Sequence, residues 1–171
     1  MCRATATIEY WKPKTQNSDS FTQGRSAITL NPRSSRWLWL FPPAYALHAI
    51  EELRGVGALH GINLSLTQYL GLSSAALLLM IFGIVLAQKF GIPQLLGVCL
   101  STTYLVNGLS HILHSLVIVG YDAGVISGTV IFIPLGLATL TSLRNSMPRL
   151  RYTGGIALGL TIQGIATILA R

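Results

Sequence analysis

Polar and apolar residues are segregated along this chain. Residues 1 to about 35 are polar, rich in Ser, Thr, Asn, Gln and Arg, and carry Pro13 and Pro32. Five apolar runs follow: Trp37 to about Leu53, Leu66 to Gln88, Pro93 to Val119, Ala123 to Leu143 and Thr153 to Ala170. Crossing a hydrocarbon core takes about 20 helical residues. The second, third and fourth runs meet that easily, the fifth just does, and the first is short with a polar end. The runs lack the sustained two-residue alternation of strands and are too long for them. The pattern predicts an all-α, polytopic membrane bundle of about five transmembrane helices over residues 36–171, behind a flexible basic tail over residues 1–35.

Helix breakers refine this outline. Pro42-Pro43 should bend or loosen the first helix, because neither residue donates a backbone hydrogen bond. Pro93 suits the first turn of the third helix, and Pro134 predicts a kink in the fourth. Gly155-xxx-Gly159 permits close helix approach, either inside the bundle, the simpler use, or at a dimer seam. There is no long internal repeat, and an odd number of spans argues against an inverted-repeat transporter.

Composition agrees. Hydrophobic residues make up 51% of the chain and charged ones 10%, against about 25% charged in an average soluble domain. Mean hydropathy is +0.57. Too little charge is present to cover a soluble surface, and disorder is excluded for most of the length. The two cysteines, Cys2 in the tail and Cys99 in an apolar run, require no oxidising compartment. Residues 1–35 hold no apolar core of a secretory signal. A basic tail with only Glu9 and Asp19 as acids also has the composition of an organelle transit peptide, but a cytosolic tail is the simpler reading.

The net charge of +7 points to orientation in a membrane. No aromatic-plus-basic motif for nucleic acid is present. If all five runs span, one side holds Arg3, Lys12, Lys14, Arg25, Arg33, Arg36, Lys89, Arg144, Arg149 and Arg151, and the other only Arg54 and Arg171. Ten against two is a strong positive-inside signal, so the expectation is a cell-membrane protein with a cytosolic N-terminus. Trp37 and Trp39 then suit the cytosolic aromatic belt and Tyr121 the outer one.

The chemistry concentrates in two stretches. In His48-Ala49-Ile50-Glu51-Glu52 the two carboxylates lie about 60° and 40° to either side of His48, one helical turn later. Carboxylates in a span are expensive and normally face a partner or a cavity. Two adjacent ones also repel unless a cation lies between them or one is protonated. In the third run, Asn107, His111 and His114 share a helix face at i, i+4, i+7. The first and third helices run in the same direction. Both clusters then lie roughly 7 to 12 Å below the outer boundary. Three imidazoles and two carboxylates at one depth form a plausible ligand set for a divalent metal, zinc or iron.

His48-x-x-Glu51-Glu52 followed by Asn107-x-x-x-His111 resembles the HXXEE family of integral membrane proteins. Tyr121-Asp122-Ala123-Gly124 is similar to that family's YxPG motif, with Ala123 in place of Pro. The resemblance covers about residues 37 to 143. It implies a membrane protein and supplies no reaction.

Plainer readings compete. Glu51 and Arg54 form an i, i+3 pair, and Glu52 can reach the headgroups by snorkelling. Asn107, His111 and His114 can serve as interhelical hydrogen-bond glue, or all five groups as a structural His–Glu network. His60 reads as a solvated loop residue, Asp122 as turn chemistry, and Cys99 as core. Ser110 lies about 100° around the helix from His111 and makes a poor dyad with it.

The pattern points to a multi-pass membrane metalloenzyme. His48, Glu51 or Glu52, His111 and His114 supply metal ligands, and the remaining Glu acts as general base on a metal-bound water. Asn107 orients a ligand imidazole or binds substrate. A small lipophilic substrate hydrolysed from the bilayer suits a chain dominated by membrane runs. The rivals are a proton- or ion-coupled transporter and a structural membrane subunit; the sequence sets no homo-oligomeric state. Cysteines placed at Asn63 and Asn145 are expected to label from outside and only from the cytosol, respectively. Labelling of both from one side, or the reverse pattern, would refute the topology.

Overall fold

The computed structural model describes residues 35–55 and 64–169. The tail with Cys2, and His60 and Asn63, lie outside the described residues. The bundle consists of α1 (Phe41–Glu52), α2 (Leu66–Lys89), α3 (Pro93–Ile118), α4 (Val125–Leu143) and α5 (Arg149–Leu169), with no strand among the described residues. The last four are long and apolar enough to cross a membrane. Leu78, Leu79 and Phe82 on α2 and Ile165 and Ile168 on α5 are exposed, a surface that suits lipid. The twelve residues of α1 rise about 18 Å. 3-10 turns at Ser35–Leu40 and Leu53–Gly55 extend this helical run at both ends.

Several local expectations change. Pro42-Pro43 do not break α1; they stand in its first turn, where missing N–H groups cost nothing. The turn before them takes up the irregularity. Pro93 opens α3 as expected. Near Pro134 the helix widens into a π-turn over Gly128–Phe132, in which Ile133 N–H reaches the Gly128 carbonyl. Trp37 is not in an interfacial belt. It is buried, edge-on to Phe41, over Gly97, where any Cβ would collide with its ring; Trp39 is exposed. α5 begins at Arg149, one turn before its apolar run. Ser65 caps α2 with Gln68 in a reciprocal pair: Ser65 Oγ accepts from Gln68 N–H and Gln68 Oε1 from Ser65 N–H.

α3 is the central helix. Gly155 and Gly159 of α5 lie against Val98, Cys99 and Thr102 of α3, so the small-residue pair serves packing inside the bundle. α1 runs parallel to α3. The Tyr104 hydroxyl donates to the Phe41 carbonyl at 2.7 Å, and further along both helices Asn107 meets His48. α2 runs antiparallel to α1: Tyr69 near its start reaches Ala49 and Glu52, and Gln88 near its end donates to the Ser35 carbonyl. A stack of Phe41, Tyr104, Phe132 and His48 joins the apolar core to the polar end, with the Tyr104 and Phe132 rings 3.9 Å apart.

A Cβ at position 159 would lie 2.5 Å from the Cys99 carbonyl oxygen, whereas one at Gly164 meets nothing within 4 Å. Gly159→Leu is therefore expected to destabilise the bundle by about 1–3 kcal/mol through overpacking. Gly164→Leu should leave it unchanged. Thermal unfolding in detergent checks the pair; equal melting temperatures would refute the α3–α5 contact.

Candidate metal centre

The site forms at the end of the bundle where α1 and α3 finish and α2 and α4 begin. His48 and Glu52 are one turn apart on α1; Asn107 and His111 are one turn apart on α3. Glu52 Oε1 lies 3.4 Å from His48 Nε2 and 3.2 Å from His111 Nε2. One donor atom from each of the three residues falls within 4.8 Å of the others. Donors about 2.1 Å from a single ion sit about 3.0 Å apart at a right angle and about 3.4 Å apart at the tetrahedral angle. The two Glu52–imidazole separations fall in that interval.

The outer nitrogens of both imidazoles are tied back. His111 Nδ1 meets Asp122 Oδ2 at 2.7 Å, and His48 Nδ1 meets Ser127 Oγ at 2.7 Å. A carboxylate can only accept, so His111 Nδ1 donates to Asp122. Ser127 Oγ donates to Glu51 and accepts from His48 Nδ1–H. Each neutral ring is thereby left with its Nε2 lone pair turned inward, toward the other ring and Glu52. His48 is fully buried, and the other two side chains are mostly so. Of these three acceptors, His48 Nε2 receives the Asn107 amide at 2.9 Å, while His111 Nε2 and Glu52 Oε1, 3.2 Å apart, repel unless a proton or cation lies between them. A proton on one Nε2 bridges one pair, while a metal ion serves all three.

The adjacent glutamates have separate tasks. Glu52 faces the imidazoles, and its Oε2 accepts from the Tyr69 hydroxyl at 2.8 Å. Glu51 turns away from the group. It accepts from the backbone N–H of Ile126 (3.0 Å) and Ser127 (2.7 Å) and from the hydroxyls of Ser127 and Tyr121. These N–H groups lie in the first turn of α4, whose own N-cap, Gly124, offers no side chain. Glu51 thus caps α4 from another helix, at the end where the helix dipole favours negative charge. Hydrogen bonds engage both Glu51 oxygens, so the carboxylate expected here as a ligand or general base is held away from the imidazoles. Tyr121, on the loop, has its phenol raised above its ordinary value by burial and by the Glu51 carboxylate, so it stays a donor.

His114, expected among the ligands, also lies outside the group. It is half-exposed, with Nδ1 3.0 Å from Asp122 Oδ1, on the far side of that carboxylate from the inward nitrogens. Asp122 is buried and holds both His111 and His114, while its N–H donates to Ser115 Oγ. Asn107 contacts His48 Nε2 at 2.9 Å through Nδ2, and its Oδ1 accepts from Gln163 of α5 at 3.0 Å. Gly124, at φ +102°, is required twice. Its conformation favours glycine, and a Cβ there would fall 2.7 Å from His111 Cε1 and 2.8 Å from His48 Cε1. Sequence reasoning misses Tyr69, Ser127 and Gln163 and favours a turn role for Asp122 over a place at the mouth of the site; for Gly124, the motif match is the one available signal.

Glu51→Ala leaves two first-turn N–H groups of α4 without this acceptor and is expected to cost about 1–2 kcal/mol, the upper part of the range for a lost cap. Glu51→Gln keeps an acceptor and should recover part of it. Melting temperatures of the two variants check this; an unchanged Glu51→Ala protein would refute the cap.

Curated proteins and solved structures give no match. One family, described as a protein of unknown function with HXXEE motif, matches residues 39–139, a stretch that contains His48, Glu51, Glu52, Asn107, His111, Asp122, Gly124 and Ser127. The chain belongs to this HXXEE-motif family, and within the motif His48 and Glu52 face the candidate centre while Glu51 caps α4.

Proposed function

We propose that His48, Glu52 and His111 bind one divalent metal ion with an open coordination position, and that the protein is a membrane-embedded metalloenzyme. The observation that carries this reading is the pair of inward Nε2 atoms, each fixed by an outer hydrogen bond, converging on Glu52 Oε1. Two imidazoles and a carboxylate with an open position serve catalytic zinc, and they also match the facial triad of non-haem iron(II). Asp122 and the Glu51–Ser127 pair act as the outer-shell acceptors that such ligand histidines use.

The chemistry we infer is hydrolysis of a small lipophilic substrate by a metal-activated water. The Tyr69 hydroxyl donates to Glu52 Oε2 and so holds the carboxylate from the side away from the imidazoles. A shallow apolar depression of about 520 Å³, whose lining includes Ile112, Leu116, Val125 and the Ser115 that binds Asp122, supports a substrate that arrives from lipid. With the N-terminus cytosolic, as the basic asymmetry argues, the centre lies toward the outer leaflet. One observation favours a second reading, iron-dependent oxidation: the engagement of Glu51 removes the spare carboxylate that hydrolysis would use as base. The transporter reading needs a polar path across the membrane, and Trp37, Phe41, Tyr104 and Phe132 fill the bundle below the site.

Metal analysis of the purified full-length protein tests the proposal. About one zinc or iron per chain is expected, with a lower melting temperature in chelator. His48→Ala, His111→Ala and Glu52→Ala should lose the metal, whereas Glu51→Ala and His114→Ala should keep it. Binding should weaken at acid pH, since imidazole and carboxylate must shed protons to coordinate. A metal-free protein that chelator does not affect, and that zinc or iron added at neutral pH does not stabilise, would refute the metalloenzyme.

A further inference from the structure

The Asn107–Gln163 pair carries an inference that rests on the metal reading and extends it. Around His48 Nε2 stand two neighbours: Glu52 Oε1 at 3.4 Å and the Asn107 amide at 2.9 Å. As placed, Asn107 Nδ2 donates into the lone pair of Nε2, the same lone pair that a metal ion would take. A metal-loaded site and this hydrogen bond exclude each other. The conflict has a local solution. A primary amide turned by half a revolution about its last side-chain bond exchanges its oxygen and nitrogen with little other movement. The partner of Asn107 is also a primary amide: Gln163 Nε2 donates to Asn107 Oδ1 at 3.0 Å. If both amides turn, Asn107 Nδ2 donates to Gln163 Oε1, and the hydrogen bond between them is kept.

We propose that Asn107 is a fourth protein donor, coordinating through Oδ1 once the metal is bound, with Gln163 as the positioning residue that permits the turn; the open position is then the fifth of a five-coordinate ion. Three geometric facts support it. The separation of 2.9 Å between the amide atom and His48 Nε2 matches the distance of about 3.0 Å between donors at a right angle around one ion. Asn107 precedes His111 by one turn on α3, as His48 precedes Glu52 on α1, so each of two parallel helices contributes a pair of donors at i, i+4. Gln163 is buried and points across the interface at the level of Asn107, one turn beyond Gly159, whose lack of a side chain brings α5 against α3. A set of two nitrogens and two oxygens selects against soft, thiolate-seeking ions and suits zinc or iron(II).

The test is isotope-edited infrared spectroscopy on the full-length protein with carbon-13 in its asparagine side-chain carbonyls, before and after loading with zinc. The Asn107 band, assigned by its loss in Asn107→Gln or Asn107→Ala, is expected to shift to lower frequency when zinc binds. Asn107→Ala should weaken zinc binding by more than about tenfold, and Asn107→Asp, which keeps an oxygen donor, should retain it. Zinc bound stoichiometrically with an unmoved Asn107 band would overturn the fourth-donor assignment and leave the three-residue centre standing. Zinc failing to bind the wild-type protein at all would overturn both.

Discussion

Two adjacent carboxylates at the end of α1, packed among the long apolar helices, have to find partners, and most of this structure is arranged around how they do so. Uncompensated, each would carry a desolvation cost of several kcal/mol. Glu51 meets the cost with the first-turn N–H groups of α4 and two hydroxyls. Glu52 meets it with the Tyr69 hydroxyl and the imidazoles of His48 and His111. Because consecutive helical residues point about 100° apart, the two cannot share one partner. Their divergence forces α4 to one side of α1 and α2 to the other.

This requirement explains the close approaches nearby. Glu51 can reach the α4 N-terminus only if α4 begins beside the end of α1. Gly124 makes the turn and leaves room for both imidazoles. Gly108 and Gly128 then let α3 and α4 meet backbone to backbone; a Cβ on Gly108 would fall 2.8 Å from the Gly128 carbonyl oxygen. Ser127 sits next to that contact and ties Glu51 to His48. The π-turn that starts at Gly128 sits at this same level, as such widenings often do at functional sites.

The helical architecture was legible from the sequence because apolar run length is a strong signal, and the shared depth of His48 and His111 followed from helix direction and rise. The charged and imidazole groups stand out because hydrocarbon makes them expensive. Hydroxyls and amides do not. Thr102, Thr141 and Thr161 each bond a carbonyl of their own helix, as serines and threonines in spans commonly do. Nothing in sequence separates these from Ser127 or Tyr69, whose partners lie on other helices. Gln163 is equally silent, since its meaning depends on α5 packing parallel to α3. Tryptophan is common in interfacial belts, so sequence alone points Trp37 there, and only the space over Gly97 reveals its buried position.

The division of labour between Glu51 and Glu52 also bears on what the centre can do. A metal ligand is useful in catalysis when its position is held independently of the substrate. Here His48 is held through Ser127 by Glu51, and Glu51 is held by the backbone of α4. His111 is held by Asp122, which α3 itself anchors through Ser115. Neither anchor passes through Glu52 or the inward nitrogens. The inward space is therefore bounded by groups whose orientation is fixed from outside. The two imidazole rings are thus aimed before anything enters, and the ordering left to oppose binding is confined to the Asn107 and Gln163 amides, which have to turn.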